Sequence, residues 1–154
     1  MKILIAEDDQ TSRWMLEGIL RKWGYDVNAV CNGQEAWQAM QAENPPALAI
    51  IDWMMPGMDG VEFCRKVRES VRLASTYIIL LTGRRQINDV IIGLEAGAND
   101  YIRKPFDREE LHARIRVGKR VIELQSALAE QVKELEKALS KIETLQALLP
   151  PPSN

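Results

Sequence analysis

The sequence predicts an α/β fold in which five strands form one parallel sheet with helices on both faces. Three observations predict it. Residues 1–118 alternate short apolar runs with amphipathic segments, and turn-forming residues separate them. The runs Ala47–Ile51 and Ile78–Leu81 are apolar at every position, as in strands buried on both faces. Five such βα units in about 120 residues pack as a doubly wound sheet joined by right-handed crossovers.

Each element is bounded by a change of pattern. The predicted strands are the apolar runs, namely Ile3–Ala6, Val27–Val30, Ala47–Ile51, Tyr77–Leu81 and the weaker Tyr101–Ile102. The predicted helices are the amphipathic segments between them, namely Ser12–Trp23, Gln34–Glu43, Val61–Glu69 and Ile87–Ala96. Turns are marked by Gly24, Asn32-Gly33, Pro45-Pro46, Pro56-Gly57 and Gly97-Ala98-Asn99. The flavodoxin-like strand order 2-1-3-4-5 is the natural solution at this size.

The overall composition is that of a soluble protein. The chain is 46% hydrophobic and 27% charged, and its net charge of −2 gives no reason to expect nucleic acid as a main partner. Cys31 and Cys64 lie far apart in the sequence and lack metal-ligand spacing. We therefore expect both to be free thiols that act as small buried apolar side chains in a reducing compartment. The apolar N-terminal run is too short for a signal peptide or a membrane span. We therefore expect a cytoplasmic protein that does not enter a membrane.

The composition changes near residue 118. All tryptophans, tyrosines, phenylalanines and glycines lie at or before that point, and 119–149 contains no glycine, proline or aromatic residue. Such a stretch suits an uninterrupted helix, whereas a globular domain rarely has this composition. We predict a domain over 1–118, a coiled-coil helix over 119–149 that continues the last helix of the domain, and a proline-rich tail over 150–154.

This last helix carries an apolar stripe. Asp107 is its predicted N-cap, and Glu109 and Glu110 lie near the positive end of the helix. Apolar residues then recur in steps of three and four, and two successive steps of four form a stutter that locally unwinds a supercoil. A parallel homodimer is the simplest way to cover the stripe; the alternative is that it folds back on its own domain. The stripe consists of Val121, Leu124, Leu128, Val132, Leu135, Leu139, Ile142 and Leu149.

Polar residues follow the strands of the predicted sheet. Asp8 and Asp9 follow the first strand, Asp52 ends the third, Thr82 ends the fourth and Lys104 ends the fifth. The carboxyl ends of parallel strands meet at one edge, which is where open α/β sheets bind ligands. Three carboxylates gathered there repel one another unless cations lie between them. Lys104 supplies one charge, and Mg²⁺ is the expected second cation, since it binds carboxylates and phosphate oxygens.

Such a site suits phosphoryl transfer to a carboxylate. Asp52 is ionised at neutral pH, so it can attack phosphorus without a general base. Because an anion must approach an anionic phosphoryl group, Mg²⁺ and Lys104 would neutralise the equatorial oxygens. The Thr82 hydroxyl could donate to one of those oxygens, and Gly83 leaves room beside it. The product would be a hydrolysable acyl phosphate, which fits a timed signal.

Four sequence segments resemble the receiver domain of response regulators from two-component phosphorelay systems. Together, in this order and at strand ends, they are highly specific, and the resemblance covers about residues 1–118. The segments are Glu7-Asp8-Asp9, the run from Asp52 to Gly60, Leu81-Thr82-Gly83 and the run from Asp100 to Phe106.

The resemblance implies a role for each site residue. It makes Asp52 the phosphoacceptor, Lys104 the partner of the phosphoryl group, and Thr82 and Tyr101 a switch pair. It also implies a cis peptide between Lys104 and Pro105. The implied metal-site groups are Asp8, Asp9, Asp52 and the backbone carbonyl of Met54.

We therefore expect a response regulator whose Asp52 receives a phosphoryl group, with Mg²⁺, from a histidine kinase or phosphotransfer protein. His112 is the only histidine, so that donor should be a separate protein. The chain should be no general enzyme, catalysing only its own phosphorylation and dephosphorylation. Either it is a truncated form of a protein with an output domain, or the dimeric coiled coil is itself the output.

Two other functions remain open. One is a constitutive coiled-coil scaffold whose receiver no longer signals. The other is a phosphohydrolase with an aspartyl nucleophile, although Met54 occupies the position where such enzymes usually carry a second acid. DNA binding has little support, since the short basic patch at 114–120 comes with no recognition helix.

Overall fold

The structure is a computed structural model that describes residues 1–83 and 87–153. Strands and helices alternate strictly, and the parallel sheet has the order β2-β1-β3-β4-β5, which confirms the predicted fold class. The strands are β1 (Lys2–Ala6), β2 (Asp26–Val30), β3 (Leu48–Asp52), β4 (Tyr77–Thr82) and β5 (Asp100–Arg103). The helices are α1 (Gln10–Lys22), α2 (Gly33–Ala39), α3 (Gly60–Glu69), α4 (Ile87–Glu95) and α5 (Arg108–Leu148).

The core lies on both faces of the sheet. Every residue of β3 and β4 is buried, as the continuous apolar runs predict. Successive strand residues point to opposite faces, so Leu4 and Ala6 pack with α2 and α3, whereas Ile3 and Ile5 pack with α1 and α5. Both faces are therefore covered by helices. A ligand would bind at the carboxyl ends of the strands, where open α/β sheets have their binding sites.

Helix α2 is shorter than the predicted Gln34–Glu43. It begins where the Asn32 side chain accepts a hydrogen bond from Glu35 N, and it ends at Ala39. Beyond that point Arg72 donates hydrogen bonds to the carbonyl oxygens of Met40 and Ala42. Arg72 thus satisfies carbonyls that lie beyond the end of the helix. Pro45 also works against a longer helix, because the residue before a proline disfavours the helical conformation.

Helix α5 begins as predicted and passes through Gly118 without interruption. Asp107 Oδ1 accepts a hydrogen bond from Glu110 N at 3.0 Å. Gly118 is buried, and a Cβ atom built on it would lie 2.7 Å from Tyr77 Cδ1 and 2.9 Å from Leu48 Cδ1. The glycine thus allows close approach of the helix to the sheet and does not end the helix.

The chain forms two compact units, Met1–Ile122 and Glu123–Asn154, and their boundary falls within α5. The predicted boundary at residue 118 stays a prediction. In the second unit, the apolar residues of the stripe are all exposed, from Leu124 at 70% to Val132 at 44%. Among the residues described, no helix combines the length and the apolar character that crossing a membrane requires.

Candidate functional site

The candidate site lies at the carboxyl ends of β1, β3, β4 and β5. β3 pairs with both β1 and β4, so Asp52, its last residue, occupies the middle of this edge. Asp52 is only 5% exposed. A carboxylate this well buried needs a charged or hydrogen-bonding partner close by.

Lys104 supplies that partner. Its Nζ donates to Asp52 Oδ2 at 3.0 Å and to Glu7 Oε2 at 2.7 Å, so one ammonium group joins two buried carboxylates. Its backbone N–H donates to Thr82 O at 2.8 Å, which extends the pairing of β5 with β4 by one residue. The Lys104–Pro105 peptide is cis, in agreement with the resemblance.

Three carboxylates lie together in the site. Ligand oxygens of Glu7, Asp8 and Asp52 are within 4.8 Å of one another, and Asp8 is the exposed member. Hard oxygen donors at such separations suit Mg²⁺, whose ligands lie at about 2.1 Å and include several waters. The residues present therefore fit the expected ion. The role of the Met54 carbonyl as a further ligand stays a prediction.

The electrostatics of the site follow from burial. Burial raises the pKa of Glu7 to about 7 from 4.5, although the hydrogen bond from Lys104 opposes the change. Burial also lowers the pKa of Lys104, but its hydrogen bonds to Glu7 and Asp52 outweigh this and leave its pKa above the ordinary value. The ammonium is thus held charged at neutral pH.

Asp9 caps a helix in the structure, and its role as a metal-site acid stays a prediction. Its Oδ2 accepts a hydrogen bond from Ser12 N at 2.8 Å, so Asp9 is the N-cap of α1 and lies outside the carboxylate cluster of the described residues. Glu7 takes its place in the cluster. Glu7 N donates to Val30 O, so Glu7 continues the pairing of β1 with β2 by one residue. The strand geometry at this position sets the direction of its side chain. Its position directly after an apolar strand, like that of Asp52, was the available signal.

Thr82 and Tyr101 lie on the neighbouring strands β4 and β5. Thr82 ends β4 beside β3 and is 1% exposed, and Tyr101 is a half-buried residue of β5 packed against the core. Among the residues that the structure describes, none lies within 4 Å of a Cβ built on Gly83, so these leave room beside Thr82. Their roles as switch residues stay predictions.

An apolar cavity of about 300 Å³ adjoins the site. Glu7 and Lys104 contribute the charged groups in its wall. The remaining wall comes from α1 and from the chain around β4 and β5, through Ser12, Met15, Leu16, Leu81, Pro105 and Phe106.

Comparison with known proteins gives a family for this arrangement. A sequence profile described as the response regulator receiver domain matches residues 3–116. The transcriptional regulatory protein GltR of Pseudomonas aeruginosa is 45% identical over 114 residues, which are 74% of this chain and 47% of GltR. The DNA-binding response regulator MtrA of Mycobacterium tuberculosis is 40% identical over 115 residues, 75% of this chain and 49% of MtrA. The chain thus spans about half the length of these curated relatives.

Solved structures give the same result. The BeF3-activated DrrB receiver domain has 33% sequence identity and a TM-score of 0.67, covering 79% of this chain and 97% of that one. The match therefore includes nearly the whole of a separately determined domain.

Proposed function

The chain belongs to the response regulator receiver domain family, and from this premise we propose that Asp52 receives a phosphoryl group from a phosphohistidine on a histidine kinase or phosphotransfer protein. The observation that carries the proposal is the contact of Lys104 Nζ with Asp52 Oδ2 at 3.0 Å, inside a cluster of three carboxylates. A buried carboxylate beside a fixed ammonium is a nucleophile with its electrostatic stabilisation already in place.

The transfer proceeds by substitution at phosphorus. An Asp52 carboxylate oxygen forms the new P–O bond while the P–N bond to the donor imidazole breaks, and the imidazole leaves with the bonding electron pair. No proton has to be removed from Asp52, because the carboxylate is the attacking species. Lys104 is the positioned cation that faces both the carboxylate and the incoming oxygens.

Mg²⁺ fits the donor set of this site. Asp8 and Asp52 would hold it together with the Met54 carbonyl, and Glu7 completes the surrounding negative charge. When bound, the ion supplies further neutralisation of the phosphoryl oxygens. Asp8 is the exposed acid and so the one through which the ion can exchange with solvent.

The signal is the conformational change that follows phosphorylation. The Thr82 hydroxyl would donate to a phosphoryl oxygen, and Tyr101 would move inward behind it. The receiver turns over only its own phosphoryl group and is no general enzyme. Support comes from the burial of Thr82 at the end of β4, next to the strand that carries Asp52.

The second unit forms a parallel coiled-coil homodimer that passes the signal on. The support is its row of exposed aliphatic side chains at steps of three and four over a helix that continues to Leu148. An isolated helix with such a stripe is only marginally stable in water, and pairing buries the stripe. A stutter between Leu124 and Val132 is the place where a rotation could be accommodated.

The partners and compartment follow from the function. The phosphodonor is a separate protein, and the compartment is the cytoplasm, where such donors would meet it. The sequence-based expectation that nucleic acid is no partner has no support, since one matched relative is a DNA-binding regulator. That relative extends beyond the matched region, so a nucleic-acid partner would involve an output domain joined to this receiver.

Intact-mass measurement tests the proposal. The full chain is incubated with Mg²⁺ and a small-molecule phosphodonor, and wild type should gain the mass of one phosphoryl group. Asp52→Asn should gain none, while Asp26→Asn, an exposed acid at the start of β2, should gain as much as wild type. Equal gain on Asp52→Asn, or no gain on wild type with chemically competent donor, would refute phosphorylation at Asp52.

A further inference from the structure

Helix α4 is only partly buried. Gly93 is the fully buried residue of α4 as described, whereas Val90 is half-buried and four other large aliphatic side chains are partly exposed. Fully burying one such side chain contributes about 1.5–3 kcal/mol, and α4 realises only part of this. The close contact at Gly93 therefore contributes to the position of α4. The exposed side chains are Ile87, Ile91, Ile92 and Leu94.

Gly93 packs against Trp53 and Leu80. A Cβ atom built on Gly93 would lie 3.1 Å from Leu80 Cδ1 and 3.3 Å from Trp53 Cζ3. A glycine inside a helix costs about 1 kcal/mol relative to alanine. The close approach of the α4 backbone to the outer ring of the indole gives a physical reason for a glycine at this point.

Trp53 is directly bonded to the phosphoacceptor. Its N–H donates to Leu81 O at 2.8 Å, and its carbonyl accepts from Gly60 N at 2.9 Å. The side chain is 3% exposed. Because its backbone is hydrogen-bonded on both sides and its ring is enclosed, a shift of the peptide that follows Asp52 would also move the indole.

The other end of α4 is anchored. Arg68 donates to Gly97 O through Nε at 2.8 Å and through Nη2 at 2.6 Å, and Nη2 also donates to Asn99 Oδ1 at 2.6 Å. Asn99 Oδ1 in turn accepts from Ile78 N. The segment that follows α4 is thus tied to α3 and to β4, which favours movement of α4 at its N-terminal end over movement at its C-terminal end.

We infer that Trp53 is a positioning residue that couples the state of Asp52 to α4: the indole sets the distance of α4 from the sheet, and phosphorylation changes it. This inference rests on the proposed function and adds the route by which the acceptor reaches a surface helix. Phe at position 53 keeps an aromatic ring but lacks the outer ring of the indole that meets Gly93, so Trp53→Phe removes this contact selectively.

Hydrogen–deuterium exchange of the peptides covering α4 tests the inference. The full chain is compared with and without beryllofluoride and Mg²⁺, at saturation, for wild type and Trp53→Phe. Trp37→Phe is the matched control, because Trp37 packs against the same core cluster away from Gly93. We expect the change in α4 exchange to fall at least about threefold in Trp53→Phe and to stay unchanged in Trp37→Phe.

A second variant keeps the inference testable if Trp53→Phe unfolds. Gly93→Ala inserts a methyl group between α4 and the indole, so α4 exchange should already differ from wild type without beryllofluoride. The inference is overturned if the exchange of α4 responds to beryllofluoride in Trp53→Phe as it does in wild type. It is also overturned if α4 exchange in Gly93→Ala equals that of wild type, or if beryllofluoride does not change α4 exchange in wild type. These outcomes are distinct from failure of the proposed function, in which wild type gains no phosphoryl mass at Asp52.

Discussion

Gly118 of α5 lies so close to Tyr77 of β4 that a methyl group at position 118 would come within 2.7 Å of the ring. Gly118→Ala should therefore lower the free energy of unfolding by about 1–3 kcal/mol, because overpacking outweighs the gain in helix propensity. Urea unfolding measures it. Gly18→Ala is the control: Gly18 lies in α1 with nothing within 4 Å of a built Cβ, and alanine there should stabilise by up to about 1 kcal/mol. Equal effects at both sites would contradict the close approach.

Removing the Lys104 ammonium should slow phosphorylation of Asp52. Lys104→Met keeps the length of the side chain but loses the charge that contacts Asp52 at 3.0 Å. We expect the rate of mass gain from a small phosphodonor to fall roughly 10²-fold, as for loss of one positioned electrostatic group. Lys119→Met, at an exposed position of α5, should phosphorylate like wild type. An unchanged rate in Lys104→Met would exclude the proposed role of Lys104.

Glu7 should make the metal-free protein less stable as the pH rises. Burial raises the pKa of Glu7 to about 7, above its ordinary 4.5, so between these values the folded state binds more protons than the unfolded chain. The contribution of Glu7 to the free energy of unfolding is complete below about pH 4.5 and is lost as the pH rises through about 7. It amounts to roughly 3 kcal/mol at most. Unfolding in the presence of a chelator measures it. Glu7→Gln should flatten this slope, whereas Glu43→Gln, at an exposed position, should retain it.

The two cysteines should react very differently with an alkylating reagent. Cys31 is exposed, whereas burial raises the pKa of the fully buried Cys64 to about 12. At pH 8 the Cys64 thiol is about 10⁻⁴ ionised, and only the thiolate reacts. Mass spectrometry of the native protein should show one rapid adduct, and the unfolded protein should show two. Rapid double labelling under native conditions would mean that the core does not enclose Cys64.

A charge in the apolar stripe should dissociate the proposed dimer. Leu128→Lys would bring two ammonium groups together in the interface of a parallel pair, raising the dissociation constant at least about 100-fold. Ser126→Lys adds the same charge at an exposed position outside the stripe and should leave the dimer intact. Sedimentation velocity over a range of concentrations measures both. A wild-type chain that stays monomeric at high concentration would refute the homodimer.

The sequence predicts the sheet well because its strongest signals come from burial. Short continuous apolar runs bounded by turn residues indicate strands covered on both faces, and β3 and β4 have this character. The boundaries of α2 are harder to predict, because its end depends on Arg72, a residue about 30 positions away. The Arg72 guanidinium donates hydrogen bonds to the carbonyl oxygens of Met40 and Ala42.

The site is predicted in its chemistry but not in every side chain. Asp52 and Lys104 follow from strand ends, which the hydrophobic pattern locates. Choosing among Glu7, Asp8 and Asp9 requires knowing where β1 stops and α1 begins, to within one residue. Asp9 is used by the helix as its cap, and this local hydrogen bond competes with any part in the cluster.

The ammonium of Lys104 touches Glu7, a residue 97 positions earlier in the chain. A nascent chain leaving the ribosome therefore contains the carboxylates of Glu7, Asp8 and Asp52 before Lys104 has been synthesised. Until β5 has emerged and docked, Asp52 lacks the ammonium of Lys104, and its phosphorylation should be slow, as in Lys104→Met. Incomplete or fragmented copies of the domain should therefore receive a signal poorly.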